Sequence, residues 1–207
     1  NRKWSFLLNR KMADKKSEGL RHEVGYNLEL LKAIGIDSLP SEKKFSLEIK
    51  NEDFPDSRLT GSGLRDRDFI AVHPWASNRE KEWPLDNFRE LTQRINSDFG
   101  LNVVLIGGLE EEERGEKFCA GLKIVNMAGE TTLIELAGLL KKARLLVTND
   151  SGPMHLAAVV GTPVAAIFRK NPASISQRRW GPVGNNHIVI ENDDLARIEL
   201  KEGLNGV

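Results

Sequence analysis

Cysteine is almost missing from this chain of 207 residues: Cys119 stands alone, so no disulfide can form within the chain, and a cytosolic, reducing compartment fits. Set in Glu116-Lys117-Phe118-Cys119-Ala120, it reads as a small apolar helix residue. Net charge is missing too. The 30 Lys and Arg residues balance the 30 Asp and Glu residues, so no long-range field draws nucleic acid or an anionic surface. No apolar run approaches the roughly 20 residues of a membrane span, and no secretory signal pattern is visible. Internal repeats and low-complexity tracts are absent. So are a Gly-x-x-x-x-Gly-Lys loop, a Gly-x-Ser-x-Gly elbow and a dinucleotide fingerprint at Gly107-Gly108. His22, His73, His155 and His187 are not at metal-ligand spacing and read as single hydrogen-bonded side chains. Trp4 and Trp180 read as packing residues. The first residue is Asn1, not methionine, which reads as the back part of a longer protein.

What remains, 40% hydrophobic and 29% charged, suits a soluble chain with one good core, or one domain plus a fragment of another. Residues 1–22 are basic and polar and read as a mobile segment or a loop that belongs with another domain. Glu23 to Ile34 reads as a helix with Val24, Leu28, Leu31 and Ile34 on one stripe and Gly35 as its stop. Residues 37–65, broken by Pro40, Pro55, Gly61 and Gly63, read as a linker with one short strand at Phe45–Ile49. We therefore expect two parts: 1–65, the tail of a preceding domain with its linker, and 66–207, a nucleotide-binding domain.

From Asp68 the pattern is regular. Phe69–Val72, Val103–Ile106, Ile124–Val125, Leu145–Thr148, Val164–Phe168 and His187–Ile190 read as strands. Helices are expected from Pro84 to Phe99, with Phe88, Leu91, Ile95 and Phe99 inward, from Glu111 to Gly121, from the capping box at Thr132 to Ala143, and from Asp150 to Val160. Strands without a polar face, alternating with helices, imply a doubly wound α/β fold with a parallel sheet covered on both sides.

In such a sheet the ligand lies beyond the carboxyl ends of the strands. The most informative stretch there is Asn149-Asp150-Ser151-Gly152-Pro153-Met154-His155, an apolar run turning sharply into a helix. Ser151 or Gly152 can cap that helix, and Pro153 suits its first turn. Free N–H groups and the positive helix end make an anion site, flanked by Asp150 and His155. The same edge carries Arg79, Lys81, Arg169 and Lys170, and the glycines Gly107 and Gly108. This set suits a nucleotide diphosphate and does not say which base.

The motifs His73-Pro74-x-Ala76-Ser77, Lys81-x-Trp83-Pro84, Val104-Leu105-Ile106-Gly107-Gly108-x-Glu110, Thr148 to Ala158 and Gly161-Thr162-Pro163, in this order and spacing, resemble the C-terminal half of the family 9 glycosyltransferases, the heptosyltransferases of lipopolysaccharide core assembly. Leu28 to Gly35 resembles the tail of that family's N-terminal domain. The resemblance implies a two-domain GT-B enzyme whose Rossmann-like C-terminal domain holds ADP-heptose. The other domain holds the lipopolysaccharide inner-core acceptor and supplies the catalytic base, so the catalytic residues of this chain are unassigned. Transfer would invert the anomeric centre without a bound metal or cofactor, in the cytoplasm or peripherally at the cytoplasmic face of the inner membrane.

Carried over by position, the donor site is Ser77, Lys81, Gly107, Gly108, Glu110, Asp150, Ser151, Gly152, Pro153 and His155. Lys81 meets the diphosphate or the sugar, and Glu110 takes ribose hydroxyls. Asp150, Ser151 and Gly152 hold phosphate or sugar, with His155 beside them. Two departures stand out. Trp75 replaces the family's glycine and is expected to stack on the ligand. Arg169-Lys170-Asn171 replaces Gly-Pro, two cations compensating for altered phosphate geometry. Without its other half the chain is expected to bind donor but not transfer sugar at a useful rate. A non-catalytic nucleotide- or partner-binding module, and a sugar-nucleotide 2-epimerase on the same architecture, are the alternatives.

Overall fold

The computed structural model describes residues 16–36, 46–66 and 68–199. Trp4 and most of the basic leading segment lie outside them. The strands are β1 (Phe69–His73), β2 (Asn102–Gly107), β3 (Val125–Ala128), β4 (Leu145–Asn149), β5 (Val164–Arg169) and β6 (His187–Asn192). They form one sheet in the order β3-β2-β1-β4-β5-β6, every neighbouring pair parallel. The helices are α1 (Glu23–Ala33), α2 (Asp56–Gly61), α3 (Leu85–Phe99), α4 (Glu112–Cys119), α5 (Leu133–Lys142), α6 (Gly152–Val160) and α7 (Gln177–Trp180). The doubly wound α/β fold expected from the alternating pattern is the one observed.

The pleat explains why these strands carry no polar face. Along β1, Phe69 and Ala71 point to one side, where α5 and α6 supply Leu139, Leu140, Met154 and Ala157. Ile70 and Val72 point to the other, against Phe88, Leu91 and Ile95 of α3 and Phe118 of α4. Local signals set the helix ends. Thr132 and Glu135 form the capping box that opens α5, and Gly100, at φ 64°, closes α3 in a left-handed turn. Phe99, expected on the inner face of α3, is exposed instead.

The stretch read as a linker is packed. Residues 46–50 are irregular, not a strand, and Phe45 lies outside the described residues. Leu47 N–H donates to Val159 O at 2.8 Å and Lys141 Nζ donates to Ile49 O at 2.7 Å. Arg58 pairs with Glu135, and Asp56 with Lys142. Phe54, Leu59 and Leu64 enter the core beside α5, and a Cβ on Gly138 would meet the Phe54 Cβ at 2.5 Å. Of the apolar stripe expected on α1, Val24, Leu28 and Leu31 are half-buried and Ile34, just past the helix, is exposed; the buried residue of this helix is Tyr26, outside that stripe. Helix α1 is tied down at its start. His22 Nδ1 accepts from Val24 N–H at 3.2 Å, and its Nε2 contacts Gly181 O at 2.8 Å. Glu23 pairs with Arg179 at 3.0 Å and with Lys16. No helix among the described residues is long and apolar enough to cross a membrane.

Candidate functional site

The strand order reverses between β1 and β4, so the crevice opens where these two strands end. His73 and Thr148 are register partners there. After β1 the chain loops out over residues 74–83 and returns, and the buried carboxamide of Asn149 closes this loop at both ends. Its Nδ2 donates to Pro74 O at 2.8 Å, and its Oδ1 accepts from Trp83 N–H at 2.9 Å. Within the loop, Asn78 caps a short turn, Arg79–Lys81, by accepting from Glu80 N–H at 3.0 Å. That turn directs Lys81 back across the crevice, where its Nζ lies 2.6 Å from Asp150 Oδ2. The Asp150 backbone is held by Ile167 O at 3.2 Å. A largely buried ion pair therefore sits at the switch point, at the mouth of α6.

Helix α6 begins at Gly152 with Ser151 as its N-cap and Pro153 in the first turn. The Ser151 side chain does not cap. Its Oγ bonds the Thr148 hydroxyl at 2.9 Å instead. Gly152 is exposed, and a Cβ added there would have nothing within 4 Å. An uncapped helix start, an open glycine and an ammonium–carboxylate pair make a site where an anionic oxygen can approach backbone N–H groups closely. His155, one turn along, makes no hydrogen bond with any described residue. Burial pulls its pKa below the ordinary value, Asp150 opposes this, and His22 and Lys81 add to it, so the ring is neutral at pH 7.

The other candidates divide. Ser77 and Glu110 are exposed on their loops, and Gly108 lies directly under the Glu110 carboxylate, 2.8 Å from where its Cβ would be. Gly107 is buried, and a Cβ there would lie 2.6 Å from Trp75 Cζ3. Its missing side chain makes room for the indole. Trp75 accordingly does not stack on a ligand as expected. It is fully buried, edge-on to His73 with ring centroids 5.8 Å apart and under the Arg114 guanidinium at 5.3 Å. Arg169 reaches Glu80 at 3.5 Å, while Lys170 and Arg79 are exposed. Cys119 packs against the α3/α4 core, and burial pushes its thiol up to about 11 against the opposing charge of Arg89.

Four polar residues of this edge were given no role from sequence: His73, Glu111, Thr148 and Asn149, although His73, Thr148 and Asn149 stand in the quoted motifs. Glu111 was hidden in a run of four glutamates, Glu110 to Glu113. Its signal is the spacing to Gly108, whose N–H it accepts at 2.8 Å as in a capping box. Burial pushes the Glu111 carboxyl up. Hydrogen bonds from His73 and Gly108, with the charges of His73 and Arg114, outweigh that and hold it below the usual range.

Comparison with known proteins agrees with the geometry. Residues 2–204 match the model of glycosyltransferase family 9 (heptosyltransferase). The chain is 36% identical over 110 residues to lipopolysaccharide heptosyltransferase 2 of Escherichia coli K12, covering 50% of this chain and 31% of that protein. A family 9 glycosyl transferase from Veillonella parvula superposes with a TM-score of 0.80 at 22% identity, over 95% of this chain and 61% of that one. The ADP-heptose lipopolysaccharide heptosyltransferase II of E. coli superposes with a TM-score of 0.69 at 27% identity, over 81% and 54%. The chain spans about half the length, or less, of the curated relatives it matches. The sheet order, the motifs at its carboxyl edge and the match over nearly all residues agree: this chain belongs to glycosyltransferase family 9 (heptosyltransferase).

Proposed function

We propose that this chain is the donor half of a glycosyltransferase that moves a heptose from ADP-heptose to the lipopolysaccharide inner core with inversion. The observation that carries this reading is the Lys81–Asp150 pair beside the uncapped start of α6 at the switch point. In this reading Ser77, Lys81, Gly108, Glu110, Asp150, Ser151, Gly152, Pro153 and His155 line the donor, while Gly107 serves indirectly by seating Trp75. As the glycosidic bond breaks, charge grows on the leaving diphosphate. Preorganised N–H groups at Gly152 and the Lys81 ammonium stabilise it there without reorganising. Lys81 exchanges its Asp150 partner for phosphate, and Asp150 is freed toward the sugar hydroxyls. The base for the acceptor hydroxyl belongs to the acceptor-binding domain, whereas Phe54, Leu59 and Leu64 pack with the donor half. Work at the cytoplasmic face of the inner membrane follows from such an acceptor. The 2-epimerase reading is not favoured, since the relatives are heptosyltransferases.

Calorimetric titration with ADP, UDP and GDP in the presence of EDTA tests the reading. ADP should bind selectively, and Asp150→Ala should lose that binding with the fold kept. Preference for UDP would move the assignment to another sugar-nucleotide enzyme.

A further inference from the structure

The loop of residues 74–83 is held shut at two levels. At its neck the Asn149 carboxamide joins Pro74 O to Trp83 N–H. One residue further in, Glu82 Oε1 accepts from Ala76 N–H at 3.1 Å, so the side chain next to Lys81 ties the returning limb of the loop to the outgoing one. The Glu82 side chain is only 17% exposed. Arg114 of α4 steadies it from outside. Its Nη2 lies 3.5 Å from both Glu82 oxygens, and its guanidinium sits over the Trp75 indole at 5.3 Å. At that length the ion pair adds orientation more than energy. The charge-assisted bond to Ala76 N–H is the stronger tie.

The backbone explains why Lys81 and Glu82 face opposite ways. The turn Arg79–Lys81 ends at Glu82, whose φ of −88° and ψ of 123° are extended. Successive side chains of an extended chain alternate, and the contacts agree. Lys81 Nζ crosses the crevice to Asp150 Oδ2 at 2.6 Å, while Glu82 turns back onto its own loop. A phosphate oxygen competes with Asp150 for the Lys81 ammonium. The Glu82 tie does not depend on which partner Lys81 has. Lys81 can therefore change partners while its backbone stays in place, and the cost of ordering this loop falls on folding rather than on binding.

We propose that Glu82 is a positioning residue: by bonding Ala76 N–H it holds the 74–83 loop closed and presents the Lys81 ammonium to the diphosphate of a bound nucleotide. This rests on the donor-site reading above. Charge alone requires the opposite sign. A carboxylate near an anion site repels a diphosphate, so on charge alone its removal strengthens binding. As a tie across the loop, its removal weakens binding.

Calorimetric titration of the full chain with ADP, beside amide hydrogen exchange of the ligand-free chain by NMR, tests this. Glu82→Ala should weaken ADP by about fivefold, the worth of one hydrogen bond to a backbone N–H. It should also speed exchange of the Lys81 amide, which donates to Asn78 O at 2.9 Å inside the loop. The Trp83 amide, held by Asn149, should keep its protection, which separates local opening from a general loss of stability. Glu82→Gln keeps an oxygen for Ala76 N–H and should keep both the affinity and the protection. Equal or tighter ADP binding by Glu82→Ala, equal losses in the Gln and Ala variants, or weaker binding without faster Lys81 exchange overturns the positioning role and leaves the donor site standing. Failure of the unaltered chain to bind ADP overturns the donor-site reading, and the role of Glu82 with it.

Discussion

Two glycine-bearing turns stand on the same sheet edge, and they are opposites. At the end of β2, Gly107 and Gly108 are enclosed by the protein's own side chains: Trp75 and Glu111 crowd the first, Glu110 the second. At the start of α6, Gly152 faces open space. In one turn the space beside the glycine is taken by an indole, and in the other no part of the described chain fills it. The lesson concerns what a glycine after a strand means. It signals close approach, and only the structure says whether the approaching group is internal.

Four experiments would break or sharpen this contrast. The largest effect should come from Trp75→Ala, which empties the space that Gly107 provides. Truncating a fully buried indole costs about 3–5 kcal/mol, readable as a lower urea midpoint. Gly107→Ala makes the reverse error and overfills the same space. With Trp75 Cζ3 at 2.6 Å from the new methyl, we expect a loss of about 1–3 kcal/mol in stability, with ADP binding kept by the folded fraction. Gly152→Ala should leave stability within about 0.5 kcal/mol, because its methyl meets nothing. It should weaken ADP by about tenfold, near 1.4 kcal/mol, if backbone approach at this turn holds the diphosphate. Equal effects of the two alanines on stability would erase the distinction.

The smallest effect is one of pH. Burial lowers the pKa of His155 in the folded chain, so below about pH 6.5 the unfolded chain takes up a proton that the folded site refuses. Stability from this group is present at pH 7 and falls as the pH drops from 6.5 toward the folded value. His155→Gln should flatten the denaturation midpoint between pH 7 and 5.5. Glu111 contributes in a separate window. Its folded pKa lies below 4.5, so its stabilisation is present above 4.5 and is lost only as the pH falls through the lower folded value.

Much of the sheet was legible because its signals are local. A run such as Val103–Ile106 bounded by glycines, the Thr132 capping box and the Asp150 to Pro153 turn each state their own geometry within a few residues. Lys81 and Asp150 were both named from sequence, but their contact, 69 residues apart along the chain, depends on how Asn149 folds the 74–83 loop back. Trp75 was misread because a departure from the family's glycine says that something changed, not where the new side chain goes. Its place is set by Gly107, on another strand. The strand expected at Phe45–Ile49 failed for a related reason. Leu47 and Ile49 give their backbone groups to Val159 and Lys141 on helices, and no sheet edge is offered to them. The stripe on α1 had the right period, and Val24, Leu28 and Leu31 are half-buried, while Ile34 beyond the helix end is exposed.

The packing of residues 46–64 bears on how this gene can be trimmed. A shortened version starting at Asp68 would carry the complete sheet and its crevice, yet it would leave bare the socket on α5 where Phe54 lies over Gly138, along with the surface under Leu59 and Leu64. Apolar surface uncovered in this way promotes self-association. Such a version should elute early and concentration-dependently on gel filtration, whereas one that keeps residues from 46 onward should not. Where to cut is decided by which side chains plug the helical layer, not by where the regular strand–helix alternation begins.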